Sequence, residues 1–500
     1  MPGILFTHSY FYRFDAKQWK NRQPYPPYGT IYAAAVMREC GFDVSLFDTN
    51  LKKSTSEILP VLENTRPGYL VIYDDGFNYL TKMCLTRMRE AAFELIRYGK
   101  QHGCTVVVNS SDATDHYDAY LSQGADFVIL GEGEITLREL IITMDGGRRT
   151  EGKSEMKNSH AIPGIAYKSQ FPNPQSPIAR TPSRPVLHDL DSLPDPAWDL
   201  VDMDAYKDIW LSRHGFFSLN LATTRGCPYK CNWCAKPIYG NRYHSRSPER
   251  VAGEIEMLIG RYGVRHFWMA DDIFGLKPGW VQRFRDVVRE KNLQFEYKIQ
   301  SRADLLLKED TIDALVDSGL REVWVGAESG SQAILDAMDK GTTIEQIGEA
   351  TRLLKKKGVD VCFFLQFGYL GETKADIGAT LRMVDELRPH NIGISVSYPL
   401  PGTKFYETVK NLLGDKQNWE DSDDLAMMYP STFSPAYYRR LHRLVHKRFR
   451  LRQGLDEVQK ILARGKVNLL KAFKSLYYAP AAILDEWRLQ RLERSGPDGR

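Results

Sequence analysis

The feature that most constrains the fold is an alternation of short apolar runs with helical patterns, found on both sides of a proline-rich stretch. Near the amino end, Ile4–Thr7, Val44–Phe47, Tyr69–Tyr73, Thr105–Val108 and Phe127–Leu130 are short, apolar and bounded by breakers, so they read as buried strands. Helical patterns such as Thr30–Glu39 and Thr81–Gly99 lie between them. Such alternation predicts a parallel sheet wound on both faces, with ligands taken at the carboxyl ends of its strands. The alternation resumes from Phe217 to about Thr408, with strands expected at Ser218–Ala222, His266–Ala270, Glu296–Ile299, Glu322–Gly326, Val361–Phe367 and Gly393–Ser397. Helices expected over Pro248–Tyr262, Trp280–Lys291, Glu309–Ser318, Ile344–Lys357 and Lys374–Leu387 separate them. Six such units predict a partial or complete parallel barrel with its reactive residues at the strand carboxyl ends. The expected fold class is therefore α/β. Residues 1–145 form a doubly wound, Rossmann-like domain, and 146–212 a linker with a short hairpin around Gly164–Lys168. Residues 213–410 form a partial (β/α)6 barrel, and 411–500 a basic, mainly helical region.

Composition narrows the function classes. With 43% hydrophobic residues, 500 residues can build more than one core, which excludes a disordered or fibrous chain. Seven cysteines are too few, and odd in number, for a disulfide scaffold. The opening Met1-Pro2-Gly3-Ile4-Leu5-Phe6 lacks the pattern of a secretion signal, and no run approaches the ~18 apolar residues of a spanning helix. A reducing cytoplasm is the expected setting, where clustered thiols bind metals more often than they form bridges. The net charge of +4 conceals a basic tail: residues 437–500 carry 16 Lys and Arg against 6 Asp and Glu, leaving the rest at −6.

The most informative segment is Thr224-Arg225-Gly226-Cys227-Pro228-Tyr229-Lys230-Cys231-Asn232-Trp233-Cys234. Three thiols spaced C-x3-C-x2-C can hold an iron–sulfur cluster and leave one iron open to a small molecule. A structural zinc site with His244 as fourth ligand is the alternative, although zinc sites favour paired C-x2-C knuckles. A zinc-stabilised module with a basic nucleic-acid surface is the corresponding non-enzymatic reading.

The cysteine spacing, with Trp233 before the last cysteine and the cluster just after the first strand of the second domain, resembles the radical S-adenosylmethionine (SAM) superfamily. That resemblance implies an enzyme with a 4Fe–4S cluster on Cys227, Cys231 and Cys234, which cleaves SAM reductively to a radical that abstracts hydrogen from an unactivated carbon. It implies further cofactor-binding positions at successive strand ends. Asp271 and Asp272 stand where the family has a Gly-Gly-Glu loop for the methionyl amine, Arg302 where it would meet the carboxylate, and Glu328 where it would meet the ribose. Gly368 and Gly371 follow the fifth barrel strand, where the adenosyl group is expected. Tyr398-Pro399-Leu400-Pro401-Gly402-Thr403 closes the sixth.

In the first domain, Pro26-Pro27-Tyr28-Gly29-Thr30 and Ala125-Asp126-Phe127-Val128-Ile129-Leu130-Gly131-Glu132-Gly133-Glu134 resemble the cobalamin-binding domain joined to many radical SAM enzymes. That group includes C-methyltransferases and the anaerobic cyclase of chlorophyll biosynthesis. Pro27, Gly29, Asp112, Thr114, Gly131, Glu132 and Gly133 are the implied cobalamin contacts. The Asp-x-His-x-x-Gly phrase of domains that ligate cobalt from below is absent, and His116 reads as a surface histidine. The resemblance covers residues 1–410 and implies cobalamin-dependent C-methylation, with radical cyclisation or rearrangement as the alternative outcome. Methylthiotransferases, a third branch, carry a second cluster on three amino-terminal cysteines, but Cys40, Cys84 and Cys104 sit where buried small hydrophobes are expected. The implied partners are a small-molecule substrate, with a hydrophobic or lipid-like one as an option, and a low-potential donor such as flavodoxin or ferredoxin, with no nucleic acid. In the tail, Val467–Tyr478 mixes apolar and basic residues at helical spacing. It reads as a helix packed over the barrel mouth, with peripheral membrane contact as the other possibility.

Overall fold

A computed structural model describes residues 2–494, apart from 79, 84, 150–161, 174–175, 235, 237, 416–417 and 463–468. The first sheet has strands β1 (Ile4–Thr7), β2 (Val44–Phe47), β3 (Tyr69–Tyr73), β4 (Thr105–Asn109), β5 (Phe127–Ile129), β6 (Ile165–Asn173) and β7 (Ser176–Arg180). Their spatial order is β2-β1-β3-β4-β5-β6-β7, and the first five are parallel. Successive side chains of these strands enter opposite cores. Ile4 and Phe6 join Val71 and Val107 on one face, whereas Leu5 joins Leu70, Ile72 and Val106 on the other. Burial on both faces is why the strands lack polar alternation, and it is the mark of a doubly wound sheet. The order reverses between β1 and β3, so the crevice at their carboxyl ends is the place where such a sheet takes a ligand.

Two features differ from the sequence-based expectation. The hairpin expected inside the linker is longer: β6 pairs antiparallel with β5 and β7 antiparallel with β6, so the first sheet runs on to Arg180. A helix, Met203–His214, also occupies the end of the segment read as linker; Asp202 caps it and Gly215 ends it in a left-handed turn. The proline content hid both, because a hairpin held by a neighbouring strand leaves little local pattern.

The second sheet comprises β8 (Ser218–Leu221), β11 (His266–Met269), β12 (Glu296–Ser301), β13 (Leu320–Glu328), β14 (Asp360–Phe367) and β15 (Asn391–Val396), all parallel and each beside its sequence neighbour. The edges β8 and β15 do not meet, so the barrel stays open along one side. Two short strands, β9 (Thr224–Arg225) and β10 (His244–Ser245), pair antiparallel and pin the ends of the cysteine-bearing loop.

The carboxyl-terminal region ties the molecule together. The Trp419 carbonyl accepts from Thr86 N at 2.9 Å, Ser422 N donates to Asp15 at 3.2 Å, and Tyr429 donates to the Gly368 carbonyl at 2.7 Å. The helices Pro435–Leu462 and Leu469–Arg494 then pack on one another. Arg440 and Lys447 both reach Asp485 at 2.6 Å, and Lys374 of the barrel reaches Glu493 at 2.6 Å. Among the described residues, no helix is long and apolar enough to cross a membrane.

Candidate active site

The carboxyl ends of the barrel strands carry the candidate residues. After β8, the backbone N–H groups of Thr223 and Thr224 each donate to Asp271 at 2.7 Å, and the Thr223 hydroxyl donates at 2.8 Å. Asp271 follows β11, so it fixes the start of the cysteine loop to its neighbour strand; burial pushes its carboxyl up to about 6. Gly226, at φ +76°, turns the chain into the loop where a Cβ would run into the Arg242 carbonyl.

Cys227, Cys231 and Cys234 are free thiols. Burial pushes the Cys227 thiol up and the Cys234 thiol up to about 12, with Asp272 adding to the second shift. Around them the loop is stitched to the rest of the barrel. Asn232 N donates to the Met338 carbonyl at 3.0 Å, and Asn232 Oδ1 accepts from the Tyr369 hydroxyl at 2.9 Å. Arg302, at the end of β12, stacks over the Tyr229 ring at 3.7 Å and places Nη1 3.9 Å from the Cys231 sulfur and 2.7 Å from the Lys340 carbonyl. Lys340 Nζ pairs with Glu328 at 2.7 Å and lies 5.9 Å from the centre of the Trp233 ring. Glu328 ends β13 in a left-handed conformation, φ +58°, which swings its carboxylate toward Lys340. The indole nitrogen of Trp233 and the hydroxyl of Thr342 are buried there without a hydrogen-bond partner. After β14, Gly368, at φ +80°, donates its N–H to Glu372 at 2.6 Å, and Gly371 follows at φ +78°.

Cys231, Trp233, Arg302, Glu328 and Gly368 thus lie around one edge. Asp272 lies close enough to Cys227 and Cys234 to raise both thiols and also pairs with Lys82 of the first domain at 2.5 Å. Lys340 carries no signal of its own in the sequence, because its place beside Cys231 and Glu328 depends on a loop closing back toward the cysteines. Among the described residues, no three His, Cys, Asp or Glu side chains converge where a single metal ion would sit. Thiolates of a 4Fe–4S cube bind three different irons and need not converge. His244 stacks on His188, ring centres 4.5 Å apart, and its pairing with Arg225 sets it at the base of the loop.

The first domain meets this edge through Arg225, two residues before Cys227. Its guanidinium is buried and donates to Glu132 at 2.5 Å and to Glu134 at 2.8 Å, both from the glycine turn after β5. Rings of Tyr32, Phe77 and Tyr239 surround it at 5.4–5.7 Å. Gly133 has no room for a side chain because Tyr73 lies against it, and Gly131 sits at φ +78°. The Gly29 N–H donates to Asp75 at 3.1 Å, directly after Pro27 caps its helix. Asp112 is held by Arg89 at 2.5 and 2.6 Å and by the Tyr120 hydroxyl at 2.7 Å, while Thr114 accepts from Gly131 N at 3.2 Å. His116 stands 3.9 Å from Asp112 and is part-exposed. Cys104 is buried at the amino end of β4, away from the strands' carboxyl ends, and Cys40 ends the helix Tyr28–Glu39; Cys84 lies outside the described residues.

A parallel open barrel thus presents three free thiols beside Arg302 and Lys340 and is joined to a doubly wound α/β domain. Residues 221–384 match the model of the radical SAM superfamily. Residues 221–384 are therefore a radical SAM domain, and the chain is a radical SAM enzyme. It is 27% identical over 404 residues to an uncharacterized methyltransferase of Pyrococcus horikoshii, covering 79% of this chain and 81% of that one. It is 28% identical over 416 residues to an anaerobic magnesium-protoporphyrin IX monomethyl ester cyclase of Rubrivivax gelatinosus, covering 83% and 70%. Its fold is similar to that of the radical SAM methyltransferase TsrM from Kitasatospora setae, solved with cobalamin and a 4Fe–4S cluster bound (TM-score 0.65, 19% identity, covering 82% and 74%).

Proposed function

We propose that this protein is a cobalamin-dependent radical SAM methyltransferase acting on an unactivated carbon of a small, apolar or lipid-like molecule. The observation that carries this reading is the meeting, at one barrel edge, of the Cys227–Cys231–Cys234 loop with Arg302 and Lys340, bridged by Arg225 to a doubly wound domain. The donor set suits a 4Fe–4S cluster, since three free thiols lie on one loop that also carries a buried, unpartnered indole N–H. The three cysteines would each hold one iron. Arg302 and Lys340 would receive the methionyl carboxylate, the Asp271-Asp272 turn the amine, Glu328 the ribose, and the Gly368 and Gly371 backbone the adenosyl group.

The glycine turn and the hydroxyls after β4 and β5 suit cobalamin bound without a protein imidazole on cobalt. Pro27, Gly29, Thr114, Gly131 and Gly133 would border it, while Asp112 and Glu132 shape the edge through Arg89 and Arg225. When bound, the cluster supplies the electron that cleaves SAM, and cobalamin supplies the methyl group. The chain's own contribution is to orient SAM by its carboxylate, to exclude water with the Tyr229, Trp233 and Tyr369 rings, and to hold the two domains in register. A low-potential flavodoxin or ferredoxin in a reducing cytoplasm is the donor this chemistry needs.

The likeness to the cyclase supports radical cyclisation as a second reading. Anaerobic reconstitution with iron, sulfide and cobalamin, followed by metal analysis, separates the two. About four irons with one cobalt per chain support methyl transfer. Four irons without cobalt favour cyclisation or rearrangement, and zinc without iron rejects both.

A further inference from the structure

The helix Leu469–Arg494 has two unlike faces. Ala482, Asp485 and Leu489 are buried against the helix Pro435–Leu462 and its side chains. On the other side, Phe473, Leu476 and Tyr477, and then Ile483, Leu484 and Trp487 about two turns on, share one face on either side of Pro480 and so form one stripe. They are 45–73% exposed, with Leu476 the most exposed of them. From Phe473 to Trp487 the stripe runs about 21 Å at the rise of an α-helix. A contiguous apolar surface of this kind on a soluble fold marks a place where something binds.

The charge around it points to the occupant. Residues 437–500 carry 16 Lys and Arg against 6 Asp and Glu. Two of those acids are consumed internally, Asp485 by Arg440 and Lys447 and Glu493 by Lys374. Arg439, Arg443, Arg450 and Arg488 of the two tail helices are exposed, and the only exposed acid among the described residues of the stripe's helix is Glu486. Arg488 is exposed beside Trp487, and Arg491 lies 3.7 Å over the Trp487 ring. Apolar and aromatic side chains along one line of a helix, inside a cationic region, are the complement of an anionic bilayer surface. A bilayer accepts a stripe one helix wide without matched shape, whereas a stable protein partner needs about 800 Å² of fitted surface on each side.

We infer that this stripe seats the enzyme on an anionic lipid surface. Phe473, Leu476, Tyr477 and Trp487 enter the acyl boundary, and the surrounding cations meet the headgroups. The cluster loop and the first domain take no part in the contact, so it stands or falls apart from the methyl-transfer reading.

The test is flotation of the full-length, reconstituted protein with vesicles of phosphatidylcholine alone or mixed with phosphatidylglycerol, at low and high salt. Binding is expected on the mixed vesicles, several-fold weaker at high salt, and about tenfold or more weaker for the double variant Phe473→Glu and Leu476→Glu. That variant should keep its iron content and its SAM cleavage, which excludes misfolding as the cause. The inference is overturned if the mixed vesicles fail to capture the protein, or capture the double variant equally well. A dimer in sedimentation that the double variant dissociates would overturn it too, assigning the stripe to a second copy of the chain.

Discussion

Cys231 shares its surroundings with Arg302 and Lys340, so its replacement tests the cluster reading most directly. Cys231→Ala is expected to abolish reductive cleavage of SAM while far-ultraviolet circular dichroism keeps the wild-type spectrum. Cleavage at the wild-type rate would refute the assignment. Glu372 offers a test of burial alone. Its carboxyl is held up to about 8 by burial, with the Gly368 amide opposing the shift, against an ordinary value of 4.5. The folded state therefore keeps a proton that the unfolded state has lost between about pH 5 and 8, and stability falls as pH rises through that window. Glu372→Gln keeps an acceptor for the amide and removes the fall. It should be more stable than wild type by about 1–3 kcal/mol at pH 8 and no more stable at pH 5, read from urea unfolding at each pH. Parallel pH profiles would reject the idea.

Among the elements, the cysteine loop is the one whose shape the backbone itself constrains. The β9–β10 ribbon fixes its ends, Asp271 its entry, and Gly226 the turn between them. Gly226→Ala demands a left-handed conformation and space that the Arg242 carbonyl occupies. A loss of about 1 kcal/mol or more in stability is expected, with iron uptake reduced well below the wild-type level. Full iron loading in this variant would mean that the loop reshapes without cost. The β6–β7 hairpin makes the contrasting point. It needs the β5 edge to exist, which is why its residues read as linker when taken alone.

On the scale of the whole molecule, a few buried polar groups fix how the two domains meet. Arg225 crosses from the cluster loop to Glu132 and Glu134, and Glu254 receives Arg246, Trp198 Nε1 and Tyr28 from different segments. Arg225→Gln leaves two carboxylates buried without their cation. It should destabilise the protein by about 3–5 kcal/mol, with part of the loss recovered when Glu132→Gln and Glu134→Gln are added. Urea unfolding of the three proteins reads this directly. Additive losses across the three changes would show that the groups do not act together.

Much of the architecture was legible from residue order. The strands at Ile4–Thr7, Val44–Phe47 and Tyr69–Tyr73 coincide with their apolar runs, and the barrel strands fall within a few residues of theirs. Burial on both faces forces continuous apolar runs, and a period of two or of 3.6 survives in one dimension. The cysteine spacing is legible for the same reason, since all three thiols lie on one short loop. Lys340 beside Cys231, the Arg225–Glu132–Glu134 bridge and the hairpin on β5 were not legible. Their partners lie tens to more than a hundred residues away, and only chain closure selects which of many charges and edges are paired. The sequence by itself determined two α/β units and the three-thiol loop. The tertiary structure decided which cations face that loop, how the domains lock together, and which side of the last helix is left bare. Those depend on distances across the fold, which no local pattern encodes.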